Sequence, residues 1–180
     1  MSVPTRKRGN DLTSRPVQVL IATAGVLPPD PVADLVTQIA GADGQVTVMT
    51  VVEVPRGFLA STDDERRYFL NEESDSSKNE LKAARYLEER GRRVVDPIIA
   101  AFRARGRPAT PLLVEGSDPA RAIVETAAKV GASLIVMGAT RPLFTEESWG
   151  SVSAGVMQRT QCPLLLVPAQ RPEEPPGPEP

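Results

Sequence analysis

The chain predicts an α/β domain with an open, five-stranded parallel sheet and helices on both faces. Two observations carry that expectation. Five short apolar runs alternate with four segments of helical character along the 180 residues, which is the order that places parallel strands in one sheet between helical layers. The runs are also apolar along most of their length, as strands covered on both faces require. Right-handed crossovers then restrict the topology.

Val17 to Ala22 (VQVLIA) is closed by Thr23-Ala24-Gly25 and by Pro28-Pro29-Asp30-Pro31, and reads as a buried strand entering a loop. Asp30 and Pro31 suit the N-cap and first position of a helix, for which Leu35, Val36 and Ile39 supply an apolar face and Gly41 the end. Val46 to Val52 (VTVMTVV) has the β-branched content of a second strand. From Glu53 to Lys78 the chain is polar and charged, so a polar insertion at about 55–78 is expected, as a solvated connection in preference to a lid.

Leu81, Ala84, Leu87, Val94, Val95, Ile98, Ile99 and Phe102 recur near helical spacing. Gly91 and the Asp96-Pro97 pair are expected to break or kink that helix. Thr110 to Glu115 (TPLLVE) is a third strand. In Gly116-Ser117-Asp118-Pro119, Ser117 or Asp118 can accept from the free amides of the next helix while Pro119 opens it. That helix turns Ala122, Ile123, Ala127 and Val130 inward and stops at Gly131. Ser133 to Met137 is a fourth strand, Gly150 to Arg159 a fourth helix and Pro163 to Val167 a fifth strand.

The ends differ in character. Residues 1–15 are expected to form a flexible basic arm carrying Arg6, Lys7 and Arg8, and residues 169–180 a disordered tail rich in proline and glutamate. Residues 16–168 remain as one domain, in keeping with their length.

Composition narrows the function. A net charge of −2 gives no global field that would hold an anionic polymer, so nucleic acid is not an expected partner. Neither a hydrophobic signal region nor a bilayer-spanning apolar run of roughly 20 residues is found, and a cytoplasmic protein is expected. Histidine is absent and Cys162 is the single cysteine, which removes the commonest general base, an internal disulfide and a multi-cysteine metal site. Cys162, ahead of Pro163, is expected to be a packed, inert thiol. Asp63, Asp64, Glu65, Glu72, Glu73 and Asp75 form a loose acidic cluster whose spacing matches no calcium loop, so a solvated face is expected and no metal.

In an open parallel sheet, ligands bind beyond the carboxyl ends of the strands, where the strand order reverses. Thr23-Ala24-Gly25 and Gly138-Ala139-Thr140 are such ends. The second leads to Gly150-Ser151-Val152-Ser153 at a helix start, where free amides and the helix dipole suit a phosphate. Thr23 and Thr140 can bond a ligand or cap their own loops, and the capping role is preferred. Ser151 and Ser153 can meet a phosphate or cap the helix, two roles that share one geometry. Trp149 can stack on a base, sit in a subunit contact or pack its loop.

The stretch GASLIVMGATRPLFTEESWGSVSAGVMQRTQCPLLLVP resembles the carboxyl-terminal signature of the universal stress protein family. With VEGSDPARAIVETAAKVGAS, VQVLIATAG and VTVMTVVEVP the resemblance spans Val17 to Pro168. It implies a Rossmann-like sheet of strand order 3-2-1-4-5. Members of the family that bind ATP carry a glycine, two residues, a second glycine, nine residues, then glycine with serine or threonine. Gly138 matches the first position and Gly150-Ser151 the last pair, but position 141 is Arg and eight residues separate it from Gly150. An Arg backed by Pro142 stiffens and fills a loop where glycine allows close approach, although its guanidinium is itself a phosphate ligand.

The family's ribose-holding Asp at the end of the first strand aligns with Ala24, whose side chain offers no acceptor. The second-strand edge at Val51 and Val52 meets adenine in the family through backbone groups. The resemblance thus implies a pocket of Thr23, Ala24, Val51, Val52, Gly138, Ala139, Thr140, Arg141, Gly150, Ser151, Val152 and Ser153. The function implied is a non-catalytic stress-response module with a degenerate adenine-nucleotide pocket. The alternative is a member that binds ATP, hydrolysing it slowly, or cyclic AMP. A homodimer is implied through antiparallel pairing of the last strands, Leu164, Leu165, Leu166 and Val167. A phosphoacceptor receiver domain is set aside, because Ala24-Gly25 replaces its first-strand carboxylates and no lysine follows Val167.

Overall fold

The computed structural model describes residues 16–55, 72–139 and 151–168, without the side chains of 72–79. The expected arm 1–15, most of the expected insertion (56–71) and the tail 169–180 lie outside the described residues. Five strands, β1 (Gln18–Ala22), β2 (Gln45–Val52), β3 (Thr110–Glu115), β4 (Leu134–Ala139) and β5 (Leu164–Pro168), form one parallel sheet in the order β3-β2-β1-β4-β5. The helices among the described residues are α1 (Pro29–Ala40), α2 (Glu72–Ala104), α3 (Pro119–Val130) and α4 (Val152–Arg159).

Strand periodicity assigns the two faces. Val19 and Ile21 of β1 join Val46, Val48 and Val136 beneath α1 and α2, where Val36, Val95, Ile98 and Phe102 close the layer. Leu20 and Ala22 turn the other way and join Met49, Ile135 and Met137 beneath Ala120, Ile123 and Ala127 of α3 and Val156 of α4. Each buried side chain of this size contributes about 1.5–3 kcal/mol, so both helical layers are held mainly by the sheet.

Several local expectations are corrected. Helix α1 starts at Pro29, with Pro28 as an extended N-cap residue, so Asp30 lies in the first turn and does not cap. Its buried face is Val32, Ala33, Val36 and Ala40, while Leu35 and Ile39 are each 40% exposed. The apolar stripe begins one turn earlier than the Leu35 reading assumed. In α3 the buried residues are Ala120, Ile123, Thr126 and Ala127, with Ala122 and Val130 half-buried.

Helix α2 is continuous from Glu72 to Ala104, so residues 72–78 of the expected insertion are helical and no break occurs at Gly91 or Pro97. Pro97 is exposed, whereas Val95, Ile98 and Phe102 on either side of it are buried and pin the helix to the sheet. Gly91 is accommodated because it underlies β3: an ideal Cβ there would lie 2.6 Å from Leu113 Cδ2. Leu81, 72% exposed, and Ala84 stay outside the core. The expected ends of α3 are present: the Asp118 carboxylate accepts from Arg121 N–H at 3.0 Å, and Gly131 adopts φ 64° as the left-handed C-cap.

Two arginines lock α1 to the end of α2. Arg105 donates through Nε to Asp34 Oδ1 at 2.6 Å, through Nη2 to Asp34 Oδ2 at 3.0 Å and through Nη1 to Asp30 Oδ1 at 2.9 Å, a paired carboxylate grip. Arg107 Nη1 donates to the Ala42 carbonyl at 2.6 Å and so satisfies backbone beyond the α1 carboxyl end. Among the described residues no helix is long and apolar enough to cross a membrane, and no trio of His, Cys, Asp and Glu is placed to hold a metal ion. The acidic cluster falls on Asp63, Asp64 and Glu65 and on the side chains of Glu72, Glu73 and Asp75, all outside that description.

The Arg105 hydrogen bond holds the Asp34 carboxyl below its ordinary value of 3.8. A group ionised more readily in the folded state stabilises fully above the unfolded value, and that contribution is lost as pH falls through the lower folded value. In urea titrations between about pH 4 and pH 2, Arg105→Met should therefore show a shallower acid loss of stability than the parent. Identical acid slopes would mean that the pair is screened out by solvent.

A candidate functional site at the carboxyl end of the sheet

Strand β1 pairs with β2 on one side and β4 on the other, with Ala22 opposite both Met49 and Met137. Beyond Ala22 the chain turns toward α1 on one face, whereas α4 follows β4 on the other. The two strand ends part there, as at the switch point of any doubly wound sheet. A cavity of about 310 Å3 occupies the gap. Ala22, Met49 and Met137 line it from the strands, Thr23, Ala24 and Val26 from the β1–α1 loop, and Thr50 and Val51 from the end of β2. Pro119 and Ile123 of α3, Gly138 of β4, and Ser151, Val152 and Ser153 at the start of α4 complete it.

The described lining holds no charged side chain, and its side-chain polarity is four hydroxyls, Thr23, Thr50, Ser151 and Ser153. Thr23 Oγ1 accepts from Gly25 N–H at 3.0 Å, which is the loop-capping role. Gly25 has φ 88°, a left-handed conformation natural to glycine. Ala24 lies exposed on the lining with no acceptor to offer. Gly138 is closely covered: an ideal Cβ there would come 3.0 Å from Val26 Cγ2, so the missing side chain lets the loop lie on β4.

Main-chain polarity is placed by the ladder. Met49 O accepts from Thr23 N–H at 3.0 Å toward β1, and Val52 O accepts from Gly116 N–H at 3.2 Å toward β3. Consecutive strand residues face opposite neighbours. Val51 therefore turns its N–H and C=O toward the β1 side, where the strand has already ended at Ala22. Val52, 7% exposed, and Ala139, 3% exposed, are buried and lie outside the lining.

At the opposite wall Ser151 caps α4, its Oγ accepting from Ala154 N–H at 3.2 Å and lying 3.1 Å from Ser153 Oγ. The amides of the first turn have no acceptor within the helix, and the helix dipole gives that end positive character. The far end of α4 is tied to α3: Arg159 Nη1 donates to both Asp118 oxygens at 3.2 Å. The Arg121 N–H and then Arg159 hold the Asp118 carboxyl below its ordinary range.

The structure thus gathers Thr23, Ala24, Val51, Gly138, Ser151, Val152 and Ser153 at one cavity and leaves Val52 and Ala139 outside it. Thr140, Arg141 and Gly150, with Trp149, lie outside the described residues. Val26, Met49, Thr50, Pro119, Ile123 and Met137 are lining residues that the motif did not single out. Met49 and Met137 were findable as the ladder partners of Ala22. Cys162 is half-buried, its Sγ donates to the Ala132 carbonyl at 3.2 Å, and burial pushes its thiol up, as a packed thiol requires. Removing the α4 cap with Ser151→Ala should cost about 1 kcal/mol, read as a lower urea midpoint. An unchanged midpoint would assign the helix start to its packing alone.

The universal stress protein family model matches residues 18–168. No curated protein matches the sequence. Among solved structures, the hypothetical protein MJ0577, whose biochemical function was assigned from its structure, is 17% identical, covers 87% of this chain and 99% of its own, and has a TM-score of 0.53. A universal stress protein in complex with cAMP is 24% identical, with 86% and 98% covered and a TM-score of 0.51. A family protein from Arabidopsis thaliana with AMP bound is 14% identical, with 86% and 93% covered and a TM-score of 0.52. The sheet order implied by the carboxyl-terminal signature is the order observed, and with the match across the whole sheet the chain belongs to the universal stress protein family.

Proposed function

We propose that the chain is a cytoplasmic, non-catalytic stress-response module that holds an adenine nucleotide in the 310 Å3 cavity. One observation carries the reading: the cavity joins the outward-turned main chain of Val51 to the amino end of α4 at Ser151. The first can pair with the edge of a base, and the second suits a phosphate. Met49, Met137 and Ile123 between them supply apolar surface for a flat ring. The relatives solved with cAMP and with AMP support the same ligand class. The described lining residues carry hydroxyls and apolar groups, which suit binding, and Ala24 together with Arg141 makes the pocket degenerate.

Isothermal titration with AMP, ATP and cyclic AMP tests this. The parent protein should bind at least one of them weakly. Ala24→Asp should strengthen AMP binding about tenfold by restoring a charged acceptor for ribose hydroxyls. Silence from both proteins up to millimolar nucleotide would overturn the reading.

The proposal includes a homodimer through β5. That strand is one of the two sheet edges, and Leu164, Leu165, Leu166 and Val167 are each only half-buried; an apolar edge of this kind can take a partner strand. Light scattering at micromolar protein should give about twice the 19.3 kDa chain mass. A monomer mass would remove the dimer.

A further inference from the structure

One close contact lies in the wall of the cavity formed by α3 and α4. Gly155 of α4 lies against Ala120 of α3, and an ideal Cβ at 155 would fall 2.9 Å from the Ala120 Cβ. Both helices present lining residues within about one turn of that contact: Pro119 and Ile123 on α3, Ser153 on α4 and its N-cap Ser151. Helix α4 has eight residues, too few to hold its place without tertiary contacts. It is anchored by the fully buried Val156 and by the Arg159 pair with Asp118. An added side chain at position 155 has no easy escape, because the facing atom is a Cβ fixed to its backbone and unable to rotate aside.

Resting on the nucleotide reading above, we propose that Gly155 is a positioning residue for the ligand: its missing methyl lets α4 approach α3 closely enough to place the Ser151–Ser153 amides at the anion. Gly155→Ala forces the helices apart at this point and displaces the amino end of α4, although alanine is the better helix former. Moving the methyl from one helix to the other, in the double variant Ala120→Gly with Gly155→Ala, restores the spacing.

The test is a mutant cycle read by AMP titration. Gly155→Ala should weaken AMP binding about tenfold, and the double variant should return it to within about twofold of the parent. Retained affinity in Gly155→Ala, or failure of the double variant to recover it while melting cooperatively, would overturn the proposal. The urea midpoint gives a ligand-free readout of the same cycle. If the parent binds no nucleotide, the functional reading falls by itself. The seam is then judged by that midpoint, which should fall in Gly155→Ala and return in the swap, and an undiminished midpoint would refute it.

Discussion

Parallel pairing of β1 with both of its neighbours is the constraint on which the molecule depends. Val19 sits opposite Val46 on one side and Leu134 on the other, and Ala22 opposite Met49 and Met137. Because β1 is buried on both faces, its alternation decides which helices lie where: Val19 and Ile21 call for α1 and α2, Leu20 and Ala22 for α3 and α4. The cavity follows from the same pairing. Once β1 stops at Ala22 while β2 runs on to Val52, the ladder is short of one strand and the main chain of Val51 faces the gap.

Within that frame, small residues do the positioning and ion pairs do the locking. Gly138 admits the Val26 loop, Gly91 admits Leu113, and Gly155 admits Ala120. Each is a place where an added Cβ would meet a close neighbour, most rigidly at Gly155. Arg105 with Asp30 and Asp34, and Arg159 with Asp118, then tie helices together at exposed sites, where solvent screening leaves little net stability. Their value lies in geometry, since the core holds both layers whether or not the pairs form.

Much of the fold was legible because whole strands were apolar and helix ends carried explicit signals. Asp118, Pro119 and Gly131 occupy the cap positions their chemistry indicates. Errors arose where a local rule met tertiary packing. Pro97 disfavours helix in the residue before it, yet Val95, Ile98 and Phe102 bury enough surface to carry α2 through. Leu35 and Ile39 looked like a core face because they are apolar at helical spacing, but the sheet selected the stripe from Val32. At the cavity, the strand ends and the helix start direct attention to Thr23, Ala24, Val51, Gly138 and Ser151, whereas Val52 and Ala139 lie outside the lining and Pro119 and Ile123 carry no such signal. Their place in the lining comes from how α3 crosses the sheet, which no local pattern encodes.

The two ends of the cavity are built with unequal care, and this bears on what such a pocket can hold. At the α4 end, Ser151 caps the helix start and lies beside Ser153 while the Asp118–Arg159 pair ties down the far end of the helix, so on the proposed reading an anion meets donors already oriented. At the β1 end, Ala24 is exposed and its side chain offers no acceptor, and Thr23 Oγ1 already accepts from Gly25 N–H. On the proposed reading, recognition rests on the base edge and the phosphate while the sugar goes largely unread. A ligand held at its two ends by main-chain groups is tolerant of side-chain change in the lining, and its affinity then depends on the spacing between strand and helix, which is the quantity that the close contact of α3 with α4 controls.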